Sequence, residues 1–348
     1  MRKHFDAWLL FCLACSSDPS PRSAGPSGGA GGNPVIGGSV GAGGSVGAGG
    51  SAAAGSPGST IVGAPGTKEA GTGPVIITSL PPGFTKTETG GYLLGAALGN
   101  GADAGRVSNG SENCANILIG VIRDFKGRNE PAGHPDFEGP FGGNDVTPNL
   151  VATTVGVDQK PIYASRCEEG HPSPAPTCPF GPETSTLANF DQWYRYTPNV
   201  NLPYLINMYF APQANGLFTF QSVFFFPVDG AGWGNNGTGD DGKSHNFGFT
   251  TELHTRFVYN GGETFQFDGD DDVWVFINDT LAVDIGGLHQ KKSRLVVLDT
   301  SAQLLGIQKG STYNLDLFHA ERHTTASTFR IDTNLAFVNC GILPPDVR

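Results

Sequence analysis

Short apolar runs separated by turn residues dominate the second half of this chain. Ile117–Ile122, Leu217–Phe220, Val223–Phe226, Phe247–Thr250 and Thr255–Tyr259 each have the length and β-branched or aromatic content of a strand. So do Val273–Ile277, Leu281–Ile285, Leu295–Leu298, Tyr313–Phe318 and Ser327–Ile331. Several alternate apolar with polar residues, the pattern of a sheet with one wet face. Val273-Trp274-Val275-Phe276-Ile277 does not alternate, and it predicts a central strand buried on both faces. Asn278-Asp279-Thr280 then predicts a hairpin turn into Leu281–Ile285. Long amphipathic helical patterns are scarce, and one helix is expected over Leu187–Tyr196. The class this implies is all-β: an antiparallel β-sandwich or barrel with long loops.

The beginning of the chain has a different character. Arg2 and Lys3 precede the apolar run Ala7–Ala14, which is too short to span a bilayer as a helix. The run ends in Cys12-Leu13-Ala14-Cys15, which resembles a bacterial lipoprotein signal, with Cys15 as the lipidated residue. An ordinary signal peptide cut nearby is the alternative, and both imply export. Residues 16–74 are mostly Gly, Ser, Ala and Pro, with a near-repeat around Gly37–Ala54. Such a segment cannot bury enough apolar surface to offset its ordering entropy, so a flexible tether is expected. The resulting map is a signal over 1–15, a tether over 16–74, an N-terminal extension over 75–116, a β domain over 117–340 and a tail over 341–348.

Charge and cysteine usage narrow the function. The chain has 348 residues, Lys+Arg 21 against Asp+Glu 32, and a net charge of -11. That disfavours nucleic acid, whose phosphates need basic patches. Of the six cysteines, Cys114, Cys167, Cys178 and Cys340 lie beyond the signal. An even set in an exported chain suggests disulfides. Cys167 and Cys178 flank a Pro-rich loop and are expected to pair locally, leaving Cys114 with Cys340. Zinc is the alternative, disfavoured because no paired CxxC spacing is present.

The run Phe265-Gln266-Phe267-Asp268-Gly269-Asp270-Asp271-Asp272-Val273 carries the candidate chemistry. Carboxylates this crowded repel unless a cation sits among them, and Ca²⁺ suits clustered oxygens on an irregular loop. Asp268, Asp270, Asp271 and Asp272 are therefore metal-ligand candidates, with Asn278 and Asp284 from the next hairpin as additions. A solvated acidic turn is the alternative. The segment Asp229–Gly242 offers Trp233 as a flat face for a sugar ring and Asn235, Asp240 and Asp241 as hydroxyl partners. It reads equally as a flexible connection. His289 follows two glycines and is placed near the aspartate loop. His319 and His323 flank Glu321, but without the HExxH pattern they read as a polar network in which Glu321 pairs Arg322 or a histidine. Gly-x-Ser-x-Gly occurs only inside the Gly/Ser-rich tether, as at Gly37–Gly41, and the GxxxxGKS spacing of Gly237–Ser244 is followed by the strand expected at Phe247–Thr250 instead of the helix a phosphate loop needs.

Several motifs come in a recognisable order. His245-Asn246-Phe247-Gly248-Phe249-Thr250, the Phe265–Asn278 run, Asp284–His289 and Phe318–His323 together resemble the fibro-slime domain of secreted bacterial and slime-mould proteins. Arg123-Asp124-Phe125 and His134–Glu138 resemble its opening signature, so the resemblance spans Ile117 to Cys340. That domain is in turn similar to the protective-antigen-type (PA-fourteen) β-barrel, whose lectin members hold Ca²⁺ on two successive aspartates joined by a cis peptide. The ion there chelates sugar hydroxyls. The resemblance places this pair within Asp270-Asp271-Asp272, most simply at Asp270 and Asp271. It implies an exported surface protein that binds a cell-surface or matrix glycan through Ca²⁺ in adhesion, and the signal-like start adds the expectation of a lipid anchor at Cys15. A matrix protein with a purely structural Ca²⁺ site and a carbohydrate-active enzyme are the other expectations.

Overall fold

The computed structural model describes residues 76–98, 115–141, 145–165, 167–170 and 178–341. Cys15, Cys114 and the tether lie outside these residues. Strand β1 (Thr85–Lys86) turns into β2 (Gly91–Ala97), followed by β3 (Ile117–Phe125). Helix α1 (Leu187–Phe190) precedes β4 (Asn201–Tyr209), β5 (Ala211–Pro212), β6 (Phe218–Ser222), β7 (Gly237–Thr238) and β8 (Ser244–His245). Then come β9 (Phe249–Tyr259), β10 (Thr264–Gly269), β11 (Asp272–Ile277), β12 (Thr280–Ile285) and β13 (Lys292–Val297). Helix α2 (Leu298–Leu305), β14 (Ser311–Glu321), β15 (Phe329–Thr333) and β16 (Ala336–Phe337) complete the described elements.

Among the described residues these strands form two main antiparallel sheets. The larger runs β1-β2-β4-β3-β9-β14-β11-β12, with β16 also on β9; the smaller runs β13-β10-β15-β6-β5. Their facing sides meet in one core. Leu253, Val273, Val275, Leu315 and Leu317 come from the larger sheet, and Phe220, Phe265, Phe267, Phe329 and Ile331 from the smaller. The protein is an antiparallel β-sandwich.

β11 is buried on both faces, as its unbroken apolar run predicts. Side chains alternate across a strand, so Val273, Val275 and Ile277 enter the sandwich core. Trp274 and Phe276 point the other way, into a second core with Phe190, Trp193, Tyr194 and the Cys167–Cys178 pair. That second layer is built by the long segment between β3 and β4. Asn278 and Asp279 join β11 to β12 with φ of 50° and 61°, the two left-handed residues a tight hairpin needs.

Three local expectations fail for physical reasons. Val223–Phe226 is not a strand: Phe224 makes an isolated bridge to Ser327, while Phe225 and Phe226 enter the core from a loop. The helix expected over Leu187–Tyr196 stops after one turn at Phe190, because Phe190, Trp193 and Tyr194 must all reach one aromatic cluster. Conversely, α2 begins at Leu298, where a strand was expected to end. Leu298 and Leu305 bury one face of it, and Gly306 at φ 64° closes it.

Cys167 and Cys178 are disulfide-bonded, as expected. Cys340 is also disulfide-bonded, and its carbonyl accepts from the Ile119 N–H at 2.6 Å, which holds the chain end on β3. Replacing Cys167 and Cys178 together by serine is expected to cost about 2–3 kcal/mol in urea unfolding, by freeing a short loop in the unfolded chain.

Candidate functional site

Three connections cross from one sheet to the other at the same end of the sandwich. β10 pairs β13 and β15 in the smaller sheet, while β11 pairs β12 and β14 in the larger. The links β10–β11, β12–β13 and β14–β15 must therefore all pass from sheet to sheet. Their registers align: Gly269 sits opposite Lys292 and Phe329, and the β11 start pairs Asp272 with Ala320 and Val273 with Ile285. The three links lie side by side and enclose a cavity of about 520 Å³. Asp270 and Asp271 from the first link line it, with Leu288, His289, Gln290 and Lys291 from the second. His323–Ala326 and Thr328 come from the third, and Phe141 and Asp240 complete the wall.

The four consecutive-region aspartates have separate fates. Asp270 Oδ1 accepts from the Thr328 N–H, and Asp271 Oδ2 accepts from the N–H groups of Arg322 (2.8 Å) and His323 (3.1 Å). Asp271 has a φ of 54°, which turns its carboxylate beside that of Asp270. Asp272, by contrast, is committed to the fold. Its Oδ1 accepts from the Gly287 N–H at 2.6 Å and its Oδ2 from Arg322 Nε at 2.6 Å, with both side chains fully buried. Asp268 belongs to the outer face of the smaller sheet, where Gln266 and Ser293 donate to it. Asp268 and Asp272 are thus tied into the fold by these hydrogen bonds and do not line the cavity.

The electrostatics single out the first pair. Burial raises the Asp270 carboxyl to about 6, against two donating hydrogen bonds from the main chain. Burial raises Asp271 further, with Arg322 opposing and Asp270 adding to the rise. Beneath them lies Glu321, fully buried beside Asp271. Burial first, then Asp271 and Asp270, push its carboxyl well above the usual range. Three acidic groups therefore share a low-dielectric region in which ionisation is costly without a cation. Arg322, adjacent in sequence, does not pair with Glu321. It spans Asp272, the Glu183 carbonyl and the Trp193 ring, 4.6 Å from its centroid.

The remaining candidates divide in the same way. Asp240 and His289 reach the cavity. Burial pushes the His289 imidazole down, against the opposing charge of Asp272, and the His289 carbonyl accepts from the Asp271 N–H. Asn278 instead donates to the Leu305 carbonyl at the end of α2. Asp241 receives Lys243 and His245, and Asn235 ties Gly230 to Ser244, so both brace the glycine-rich loop. Trp233 stands outside the cavity wall, its ring covered by Lys126 at 5.3 Å. Its N–H donates to Asp124, whose carboxylate would collide with a Cβ at Gly232, where φ is 56°. Gly232→Ala is therefore expected to cost about 2 kcal/mol in chemical denaturation. His319 and His323 are parted: His319 sits in the sandwich core among Phe225, Phe249 and Phe329, and His323 lies past the end of β14 at the cavity. Among the described residues the non-proline cis bond is at Thr324–Thr325, not at Asp270–Asp271.

A hard oxygen-preferring ion fits this donor set. Asp270 and Asp271 face the cavity, with the buried Glu321 behind them. Among the described residues no three His, Cys, Asp or Glu side chains are arranged to hold an ion unaided. An ion on Asp270 and Asp271 would take its other oxygens from main-chain carbonyls, water or a ligand.

This geometry can be set beside known proteins. Residues 208–347 match the PA14 domain. The PA14 match opens at the end of β4 and takes in every later strand, so Asp240, all three sheet-to-sheet links and Glu321 fall inside it. The chain is also similar to proteins of Dictyostelium discoideum. It is 36% identical to protein psiC over 210 residues, which cover 59% of this chain and 39% of psiC. It is 36% identical to protein psiD over 222 residues, covering 60% and 41%, and 35% identical to protein psiR over 248 residues, covering 66% and 23%. The chain spans less than half the length of these relatives. A crystal structure of a β-glucosidase from Kluyveromyces marxianus in complex with glucose aligns at 12% identity over 26% of this chain and 10% of that one. Its TM-score of 0.17 carries no argument. Among the described residues no helix is long and apolar enough to cross a membrane.

Proposed function

We propose that this is an exported surface protein of the fibro-slime kind that binds a glycan through Ca²⁺ held by Asp270 and Asp271. The observation that carries this reading is the convergence of three sheet crossovers on one cavity whose floor presents two buried, adjacent carboxylates. A bound Ca²⁺ would supply coordination positions for neighbouring sugar hydroxyls. The protein's own groups do the rest. Arg322 and His323 N–H groups aim Asp271, and the Thr328 N–H aims Asp270. Phe141 and Leu288 give the wall an apolar face against which a pyranose ring can rest. Cys15 and residues 16–74 would anchor and extend the domain from a membrane surface.

Binding of the full chain to a glycan array, with Ca²⁺ and again with EDTA, tests this. Retention of a defined glycan set only with Ca²⁺, lost in Asp271→Asn, is the expected result. Ca²⁺ uptake without binding of any glycan would instead favour a structural ion in a matrix protein.

A further inference from the structure

The glycine-rich loop between Asp229 and His245 is far from the aspartate pair in sequence, yet it closes the same cavity. His245 clasps the loop's two ends. Its Nδ1 meets Asp229 Oδ2 at 2.6 Å and its Nε2 meets Asp241 Oδ1 at 3.0 Å, while the ring stacks on Phe226 at 3.9 Å. The loop is packed against the third crossover without spare room. A Cβ at Gly239 would sit 2.9 Å from the His245 ring and 3.3 Å from the Thr325 carbonyl oxygen, and one at Gly237 would collide with the Thr324 methyl. The Asp240 N–H donates to the Thr325 carbonyl at 3.0 Å. The backbone of Asp240 is thereby fixed, and its side chain is exposed at the cavity wall.

We propose that Asp240 is a specificity-determining residue that restricts this site to neutral glycans. The inference rests on the Ca²⁺-dependent reading of the cavity. With the ion in place Asp270 and Asp271 are ionised, and Asp240 adds a third carboxylate. Against them the lining offers one lysine, Lys291, with His289 and His323 beside it. One divalent ion and one lysine leave no excess positive charge for a uronate, sialate or sulfate. A like charge held at the wall is a repulsive element against anionic sugars, and the same carboxylate accepts a hydrogen bond from a neutral sugar's hydroxyl. The net charge of -11 acts in the same direction at longer range.

The test compares the full Ca²⁺-loaded chain with Asp240→Asn, Asp240→Lys and His245→Gln. Each is run on an array of matched neutral and anionic glycans, with Ca²⁺ affinity titrated in parallel. Wild type is expected to favour neutral members by roughly tenfold, the scale of one hydrogen bond to a charged group. Asp240→Asn should narrow that ratio to within about threefold, the loosened loop of His245→Gln should narrow it too, and Asp240→Lys should invert it. Near-native Ca²⁺ affinity in Asp240→Asn shows that fold and ion site survive. Equal binding of anionic glycans by wild type, or a ratio unmoved by Asp240→Asn, overturns this inference alone. A wild type that takes up no Ca²⁺, or retains no glycan of either kind, overturns the site reading beneath it as well.

Discussion

Replacing Asp270 and Asp271 together by asparagine is expected to stabilise the metal-free protein and to abolish its response to Ca²⁺. Asparagine keeps an acceptor for the Thr328, Arg322 and His323 N–H groups but removes the crowded charge. The sign follows from linkage. Both carboxyls are raised in the folded state, to about 6 for Asp270 and about 8 for Asp271, above the ordinary 3.8. Each then contributes stability that is full below the unfolded value and is lost as pH rises through the folded value. The melting temperature of the metal-free wild type should fall between pH 5 and 8, and Ca²⁺ should restore it. The double variant should fall less steeply and lie about 2 kcal/mol above wild type at pH 8. Asp124 and Glu183, each raised to about 7 by burial, act with the same sign and remain in both proteins. The difference between the two pH profiles therefore reports the aspartate pair together with Glu321, whose carboxyl the pair raises. A less stable double variant with an unchanged pH slope would show that the pair carries no charge strain.

Arg322→Met should have the largest destabilising effect, about 3–5 kcal/mol, or a melting temperature lower by roughly 10 °C. Arg322 is fully buried and its Nε donates to Asp272. Removing the guanidinium strands the Asp272 carboxylate in the interior with only the Gly287 N–H left to it. The Trp193 face loses its cation at the same time. Pairing Arg322→Met with Asp272→Asn should recover part of the loss, because no buried charge then remains unmatched. A single variant within about 1 kcal/mol of wild type in urea unfolding would mean that the ion pair does not hold the two cores together.

The sequence patterns most easily read were those set by one strand and its immediate turn. Val273–Ile277 announced a doubly buried strand because both of its faces are apolar, and Asn278-Asp279 announced the hairpin because both must turn left-handed. Asp270 and Asp271 stood out by charge crowding alone. Asp272 looked identical to them, since its partner Arg322 lies just past the end of β14, 50 residues away. The convergence of Asp240 with Asp270 was not legible either, because it depends on three links crossing between sheets at one end. Val223–Phe226 misled because an apolar run feeds a core equally well from a loop. α2 carries a readable signal in apolar Leu298 and Leu305 seven apart, then Gly306. Glu321 had no signal at all, since its importance lies in burial beside Asp271.

Calorimetric titration of Ca²⁺ into the metal-stripped full chain, alongside the Asp270→Asn/Asp271→Asn double variant, tests the central claim most directly. One saturable site in wild type and none in the variant is the predicted result. No heat in wild type and no shift in its melting temperature, or equal uptake by both proteins, would contradict it and leave the aspartate pair an acidic crossover in a structural surface protein.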